Sequence, residues 1–484
     1  MSGRSDEAVI QSEPEAGSLR RSLSGFITGS MTFASVGVSA GLFSLFGFAL
    51  AGSGPAFFWG WLVIGALVFF LCLMWAELSS HYPYAGSMYQ WPALLVGRRA
   101  GWWIGWVYLF AFAGVCMGTY LVLPVSIIPL FGLQATTLTS VTIALIAAVT
   151  ATVINSVNTR FLGRFTEYGI FVEIGILVLL SLAVLIFGHH NSASILVNTN
   201  GNGHSFGSWL PDFLGFGAFV SIWVLFTFEC AGTLGEETID AKRSAPRAVM
   251  GSYFVTMALG VVFLFCFLLA IPNVGKIAGS ATPLPDIINS ALPHWFSKVY
   301  LILIAWVTIL AGNIEFTAVV RQVYGMARDD QLPASKYLSR TRANGTPWIA
   351  TIVVGCLTAL PLIESTQLSV VLVGATAAMY SVYFSVSCIL LWKRLRGWPQ
   401  VSAPFKLGRW GPIANVAACI GAGAILLNLV WSRPDTNPTW KLGIPVCYWV
   451  MGIPIVLGAI YYVLVQHRRL GAQTERPARS ATES

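Results

Sequence analysis

Twelve apolar segments, each long enough to cross a lipid bilayer, take up most of the 484 residues and leave room for little else. A transmembrane helix needs about 20 mainly apolar residues. The segments fall at 24–50, 56–76, 101–131, 136–155, 166–188, 210–233, 248–272, 297–326, 347–363, 368–392, 411–431 and 444–466. Lipid offers the backbone no hydrogen-bonding partner, so such segments close their bonds internally as helices. The expected fold class is an all-α polytopic membrane protein with 12 transmembrane helices. Charged residues are 10% of the chain, against about 25% in an average soluble domain, so no separate soluble domain fits. The first 23 residues are polar and lack the apolar core of a secretory signal, which makes the first segment an uncleaved span.

An even number of spans puts both termini on one side. Of the 28 lysines and arginines, 24 fall on that side and only Lys276, Lys298, Arg433 and Lys441 on the other. The positive-inside rule then makes both termini cytoplasmic in a multi-pass protein of the cell membrane. The net charge of +8 is thereby a topology signal, and no nucleic-acid partner is implied. The 8 cysteines lie within or at the ends of apolar segments without CxxC spacing, and read as buried free thiols. His189, His190 and His204 lie in an outer loop without nearby carboxylate or cysteine ligands, so no metal site is expected. The chain has no HExxH, no nucleophile elbow and no Walker motif, which argues against an enzyme or an ATP-driven pump. No cofactor is called for.

Two segments are interrupted by residues that weaken a helix. The first carries Ser35, Val36, Gly37, Val38, Ser39 and Gly41. Its glycines stand at i and i+4, so a tight packing face and a broken helix both fit. The sixth carries Phe226, Phe228, Glu229, Cys230, Ala231 and Gly232. A carboxylate at bilayer depth costs about 3 kcal/mol and needs a cavity, a partner or a transported ion. The two segments occupy corresponding places in two five-span halves, and paired broken helices point to a transporter binding site. Glu173 in the fifth segment is either a proton carrier or a carboxylate hydrogen-bonded between helices. Glu315 lies 18 residues after Ser297 and Glu229 lies 19 after Leu210, which gives them comparable depth. Glu315 either faces the same cavity as Glu229 or pairs with Arg321 or backbone near the inner surface. Glu236, Glu237 and Asp240 stand beside Lys242, Arg243 and Arg247, where local ion pairing is expected and a gate is the alternative. Tyr380 and Tyr383 fit an outer gate or an aromatic lining, but as aromatic residues they read first as interface anchors.

Three blocks carry a family resemblance. Ala76, Glu77, Leu78, Ser79, Ser80, His81, Tyr82, Pro83, Tyr84, Ala85, Gly86, Ser87, Met88, Tyr89, Gln90 and Trp91 form an amphipathic cytoplasmic stretch with an interfacial or re-entrant look. The stretch closely resembles the AELSSRYPxAGGxYxW signature of amino acid permeases in the amino acid, polyamine and organocation superfamily. Gly235, Glu236, Glu237, Thr238, Ala241, Arg243, Pro246, Arg247, Ala248 and Val249 match that family's GEETxxAxRxxPRAV pattern. The run from Arg321 through Tyr324 to Pro333 resembles its SRxxYAMARDGxLP. The resemblance covers nearly the whole chain and looks closest to bacterial and fungal permeases for amino acids, GABA and choline-like amines.

It implies a five-plus-five inverted repeat of the LeuT-like kind with broken helices 1 and 6. Repeat one would be 24–188 and repeat two 210–392, followed by two further helices at 411–466 and flanked by cytoplasmic tails at 1–23 and 467–484. It also implies a secondary transporter working by alternating access on an amino acid or related amine, by ion coupling (H+ or Na+) or by exchange. In that scheme the interrupted first span binds a substrate carboxylate, and the sixth, with Glu229, binds its ammonium. Glu173, Glu229, Glu315 and Thr317 are the candidates for the coupling ion or proton. Glu77, Glu236, Glu237 and Arg321 are those for an inner gate. Several proton-coupled relatives carry a lysine in the fifth span, whereas the first lysine here is Lys242. A choline-like cation, caged by Trp223, Phe226 and Phe228, is an alternative substrate, and a non-transporting nutrient sensor is the alternative of another class.

Overall fold

The computed structural model describes residue 21 and residues 23–157, 169–342, 346–364, 368–399 and 403–469. Glu167, Tyr168, Arg160, Arg164 and most of both tails lie outside the described residues. Among the described residues the regular structure is helical, with only isolated backbone bridges beside it. Ten helices there are long and apolar enough to cross a membrane.

The first apolar segment forms two helices, α1 (Gly25–Val36) and α2 (Val38–Ser53), separated by Gly37. Gly37 has φ 56°, a left-handed conformation that glycine adopts at little cost. Then follow α3 (Phe58–His81), the short α4 (Ser87–Val96), α5 (Arg98–Phe131), α6 (Thr137–Val157) and α7 (Gly169–Gly188). The sixth segment runs Phe206–Asp212, through a π-helical turn at Phe213–Gly217, into α8 (Ala218–Val224). Residues 225–229 are not helical, and the chain resumes as a single turn, α9 (Cys230–Thr233). Long helices α10 (Ala241–Leu269) and α11 (Trp295–Arg328) come next. The ninth segment is shorter than its apolar run suggests: α12 (Trp348–Ala359) has 12 residues and stops short of Pro361, which has no N–H to continue it. The last three are α13 (Leu368–Arg394), α14 (Gly411–Val430) and α15 (Val446–Tyr461).

α5 lies along α11, α10 along α3, and α13 is flanked by α5 and α14. Large apolar side chains on α6, α14 and α15 point outward, among them Ile146, Val149, Ile420, Leu427 and Val456. The helix ends gather on two faces. On one, Leu23 before α1 bridges to Thr238 before α10, Glu77 of α3 pairs with Arg394 of α13, and Arg469 pairs with Asp330 after α11. On the other, Asn202 bonds Ala51 and Asn191 bonds Leu269 and Ile271. All eight cysteines are free, but Cys356 is exposed and Cys388 and Cys419 are half-buried, so the expectation of uniform burial holds for only five. Their positions on outward helix faces explain this, since a thiol is apolar enough to face lipid.

Candidate functional site

The two breaks meet at the centre of the bundle. Ser35, just before the Gly37 kink, places its hydroxyl 3.3 Å from that of Thr227 in the middle of the second break. Thr227 has φ 66°, unusual for a β-branched residue and a form of strain that concentrates at working sites. Its N–H donates to the Tyr383 hydroxyl of α13 at 3.2 Å, and the Tyr380 hydroxyl donates to the Leu225 carbonyl at 3.2 Å. Side chains from α13 thus satisfy part of the backbone that the unwound segment frees. Close approach of α2 to α8 depends on Gly41, where a Cβ would lie 2.6 Å from Val224. Val36, Val38 and Ala231 are all buried around the junction.

Glu229 closes the second break and is completely buried. Tyr108 of α5 donates to its Oε1 at 3.0 Å, and the Tyr383 hydroxyl lies beside the same carboxyl. Glu173 of α7 reaches the first break: the N–H and hydroxyl of Ser39 donate to its Oε1 at 3.3 and 3.4 Å. A carboxylate there complements the positive end of α2. Glu315 of α11 faces Thr119 of α5. It meets α5 at Thr119 and Glu229 meets it at Tyr108, and both acids lie within electrostatic reach of Cys230. Nor does it pair with Arg321. Each of the three acids has an Oε2 without a hydrogen-bond partner, and none forms an ion pair among the described residues. Thr317 points instead to α6, donating to Asn155 Oδ1 at 2.7 Å, and Asn155 in turn bonds Asn313.

Cys230 lies beside Ser35 at the junction, and below this centre Gly232 of α9 sits over α4. A Cβ on Gly232 would meet Trp91 at 2.6 Å, and Thr233 bonds Ser87 through their hydroxyls at 2.9 Å. Glu236 and Glu237 do not pair locally with Lys242, Arg243 and Arg247. Glu237 forms a two-pronged pair with Arg321, and Glu236 forms one with Arg328 at 3.0 and 3.1 Å, both reaching across to α11. Of the local pairs only Asp240 with Arg243 forms among the described residues, at 4.0 Å. The tight turn explains the difference, because Gly235 packs on the backbone of Pro83 and aims Glu236 at the Ala85 N–H and Arg328. Glu77 stands elsewhere, joining α3 to α13 rather than either broken helix to its neighbours. Phe226 packs on Trp223 at 5.2 Å, but Phe228 turns to Tyr253 of α10, so the three rings do not form one cage. Among the described residues no group of histidines, cysteines and acids is placed to hold a metal ion.

A helical bundle with apolar outer faces, enclosing two broken helices whose free backbone groups meet buried acids, is the architecture of a multi-pass membrane transporter. The chain belongs to the amino acid permease family, whose model matches residues 22–460. It is similar to the GABA-specific permease of Saccharomyces cerevisiae, 26% identical over 474 residues that cover 92% of this chain and 82% of that one. It is also similar to the amino-acid permease BAT1 of Arabidopsis thaliana, 23% identical over 461 residues covering 87% of each chain. The BAT1 homolog of Oryza sativa is 24% identical over 493 residues, covering 94% and 92%. The protein is thus an amino acid transporter and not an enzyme.

Sequence reasoning missed Tyr108, and it read Tyr380 and Tyr383 as interface anchors. A hydroxyl within an apolar span was the available signal, since a buried phenol needs a partner.

Proposed function

We propose that this chain moves an amino acid or related amine across the cell membrane by alternating access, with both termini cytoplasmic. The proposed frame is the five-plus-five inverted repeat, 24–188 and 210–392, with two additional helices at 411–466. The observation that carries the reading is the meeting of the breaks through Ser35 and Thr227, with one buried acid at each. Unwound carbonyls of residues 225–229 and the Glu229 carboxylate suit an ammonium group, while the start of α2 suits a carboxylate.

Glu173 sharpens this scheme. It already bonds Ser39 at the start of α2, so a substrate carboxylate must compete with it. A proton on Glu173 weakens that hold and lets substrate and proton enter together, which makes Glu173 the leading candidate for H+ coupling. Arg321–Glu237 and Arg328–Glu236 close the cytoplasmic side in this state and part when it opens inward. The same Glu173 contact favours a second reading, a cationic amine without a carboxylate, because such a substrate leaves Glu173 in place.

The test is uptake into proteoliposomes of labelled GABA, a panel of α-amino acids and choline under separate proton and sodium gradients. Amino acid uptake driven by a proton gradient and uncoupled in Glu173→Gln is the expected result. Uptake of choline alone moves the assignment to the second reading. Substrate binding with no uptake under any gradient overturns transport in favour of a sensor.

A further inference from the structure

On the face that carries the basic helix ends, a cavity of about 390 Å³ opens between the ends of α3 and α13, the start of α10 and the side of α4. Its walls bring together Lys242, Lys393 and Arg396 with no carboxylate among the lining residues. None of these three cations has an acidic partner among the described residues. Neighbouring acids are already engaged: Glu77 by Arg394, and Asp240 by Arg243. The Ser80 hydroxyl is committed as well, donating to the Lys242 carbonyl and accepting from the Phe405 N–H. The charge that the cavity offers a ligand is therefore cationic.

Leu94 on the rim is 48% exposed, and Trp392, on whose ring the Arg396 guanidinium sits at 4.0 Å, and Leu395 next to Arg396 in sequence are 43% and 74% exposed. A concave cluster of cations bordered by exposed apolar side chains, at the ends of membrane-spanning helices, matches a phosphate with acyl chains attached. We propose that this cavity binds a phosphoryl anion, supplied by the headgroup of an anionic phospholipid whose chains lie against Leu94, Trp392 and Leu395. The site is separate from the broken helices, and the proposal does not depend on which substrate is carried.

Each cation at such a surface contributes about fivefold to the attraction of an anionic lipid. The experiment is native mass spectrometry of the full chain extracted from vesicles of mixed phosphatidylglycerol and phosphatidylcholine, with sn-glycerol 3-phosphate as the soluble probe in a thermal-shift assay. Wild type is expected to retain phosphatidylglycerol over phosphatidylcholine. K242Q/K393Q/R396Q is expected to lose at least about tenfold of that retention. K242R/K393R, which keeps the charge, is expected to retain it and shows that the loss follows charge rather than folding. Stabilisation of wild type by glycerol phosphate, absent in the triple variant and without lipid preference, upholds a phosphoryl site but overturns the lipid as its source. Equal lipid retention by wild type and triple variant, with no glycerol phosphate effect, overturns the proposal.

Discussion

Glu77 and Arg394 offer a measurement that separates a structural clamp from a gate. The side chains are 0% and 5% exposed, and the ion pair ties α3 to α13. The Leu407 N–H donates to the other Glu77 oxygen at 2.9 Å, and Arg394 also reaches Asn415 Oδ1 at 3.4 Å. Arg394→Met strips the guanidinium from a fully buried carboxylate, which keeps the Leu407 N–H. Breaking one side of such a pair costs about 3–5 kcal/mol, whereas replacing both partners is often close to neutral. The single variant is therefore expected to unfold in detergent well below wild type. Glu77→Gln combined with Arg394→Met recovers part of the loss, because the new amide oxygen still accepts from Leu407 and neither charge of the pair remains buried, while the unpaired amide N–H group keeps a cost of about 1–3 kcal/mol. Unfolding midpoints of wild type, both singles and the double give the coupling directly. Uptake per folded molecule stays at the wild-type level in the double variant if the pair is a clamp. Wild-type stability in Arg394→Met, or a double variant no more stable than that single, refutes the reasoning. Changed uptake at unchanged stability returns Glu77 to the gate.

Two further outcomes follow from the site. Arg321→Gln frees Glu237 and loosens the contact between the segment after α9 and α11, so Cys230, now 1% exposed, should react faster with a thiol reagent applied from the side that carries Arg321; unchanged labelling in a variant with Cys230 as the sole cysteine counts against the gate. Tyr383→Phe removes the acceptor for the Thr227 N–H and leaves that buried group unpaired, at a cost of about 1–3 kcal/mol. It should raise the KM for uptake with little change in expression, and an unchanged KM contradicts a role for Tyr383 in holding the break.

The sequence displays the features that depend on local chemistry. A left-handed kink at Gly37 is foreshadowed by the glycines and serines around it. The second break is foreshadowed by Glu229 and Gly232, although its centre is Thr227 and Gly232 itself is helical, its missing side chain making room for Trp91. Apolar length alone marks ten of the expected spans, while α8 and α12 are shortened by a break and by Pro361. What stays hidden is pairing at long range. Tyr108 finds Glu229 and Glu77 finds Arg394 only after the bundle is assembled. Glu236 and Glu237 have cations nearby in sequence but are turned to α11 by the packing of Gly235 on Pro83.

In the proposed mechanism the broken helices and Glu229 form the transport site. Glu229→Gln tests it with least disturbance, because the amide keeps the length of the side chain and can still accept from Tyr108. The measurement is gradient-driven uptake by wild type and variant in matched proteoliposomes, with folded protein quantified by size-exclusion chromatography. Loss of uptake with folding preserved is the predicted result. Uptake at the wild-type rate by the folded variant would contradict the account and leave Glu229 as a buried structural acid.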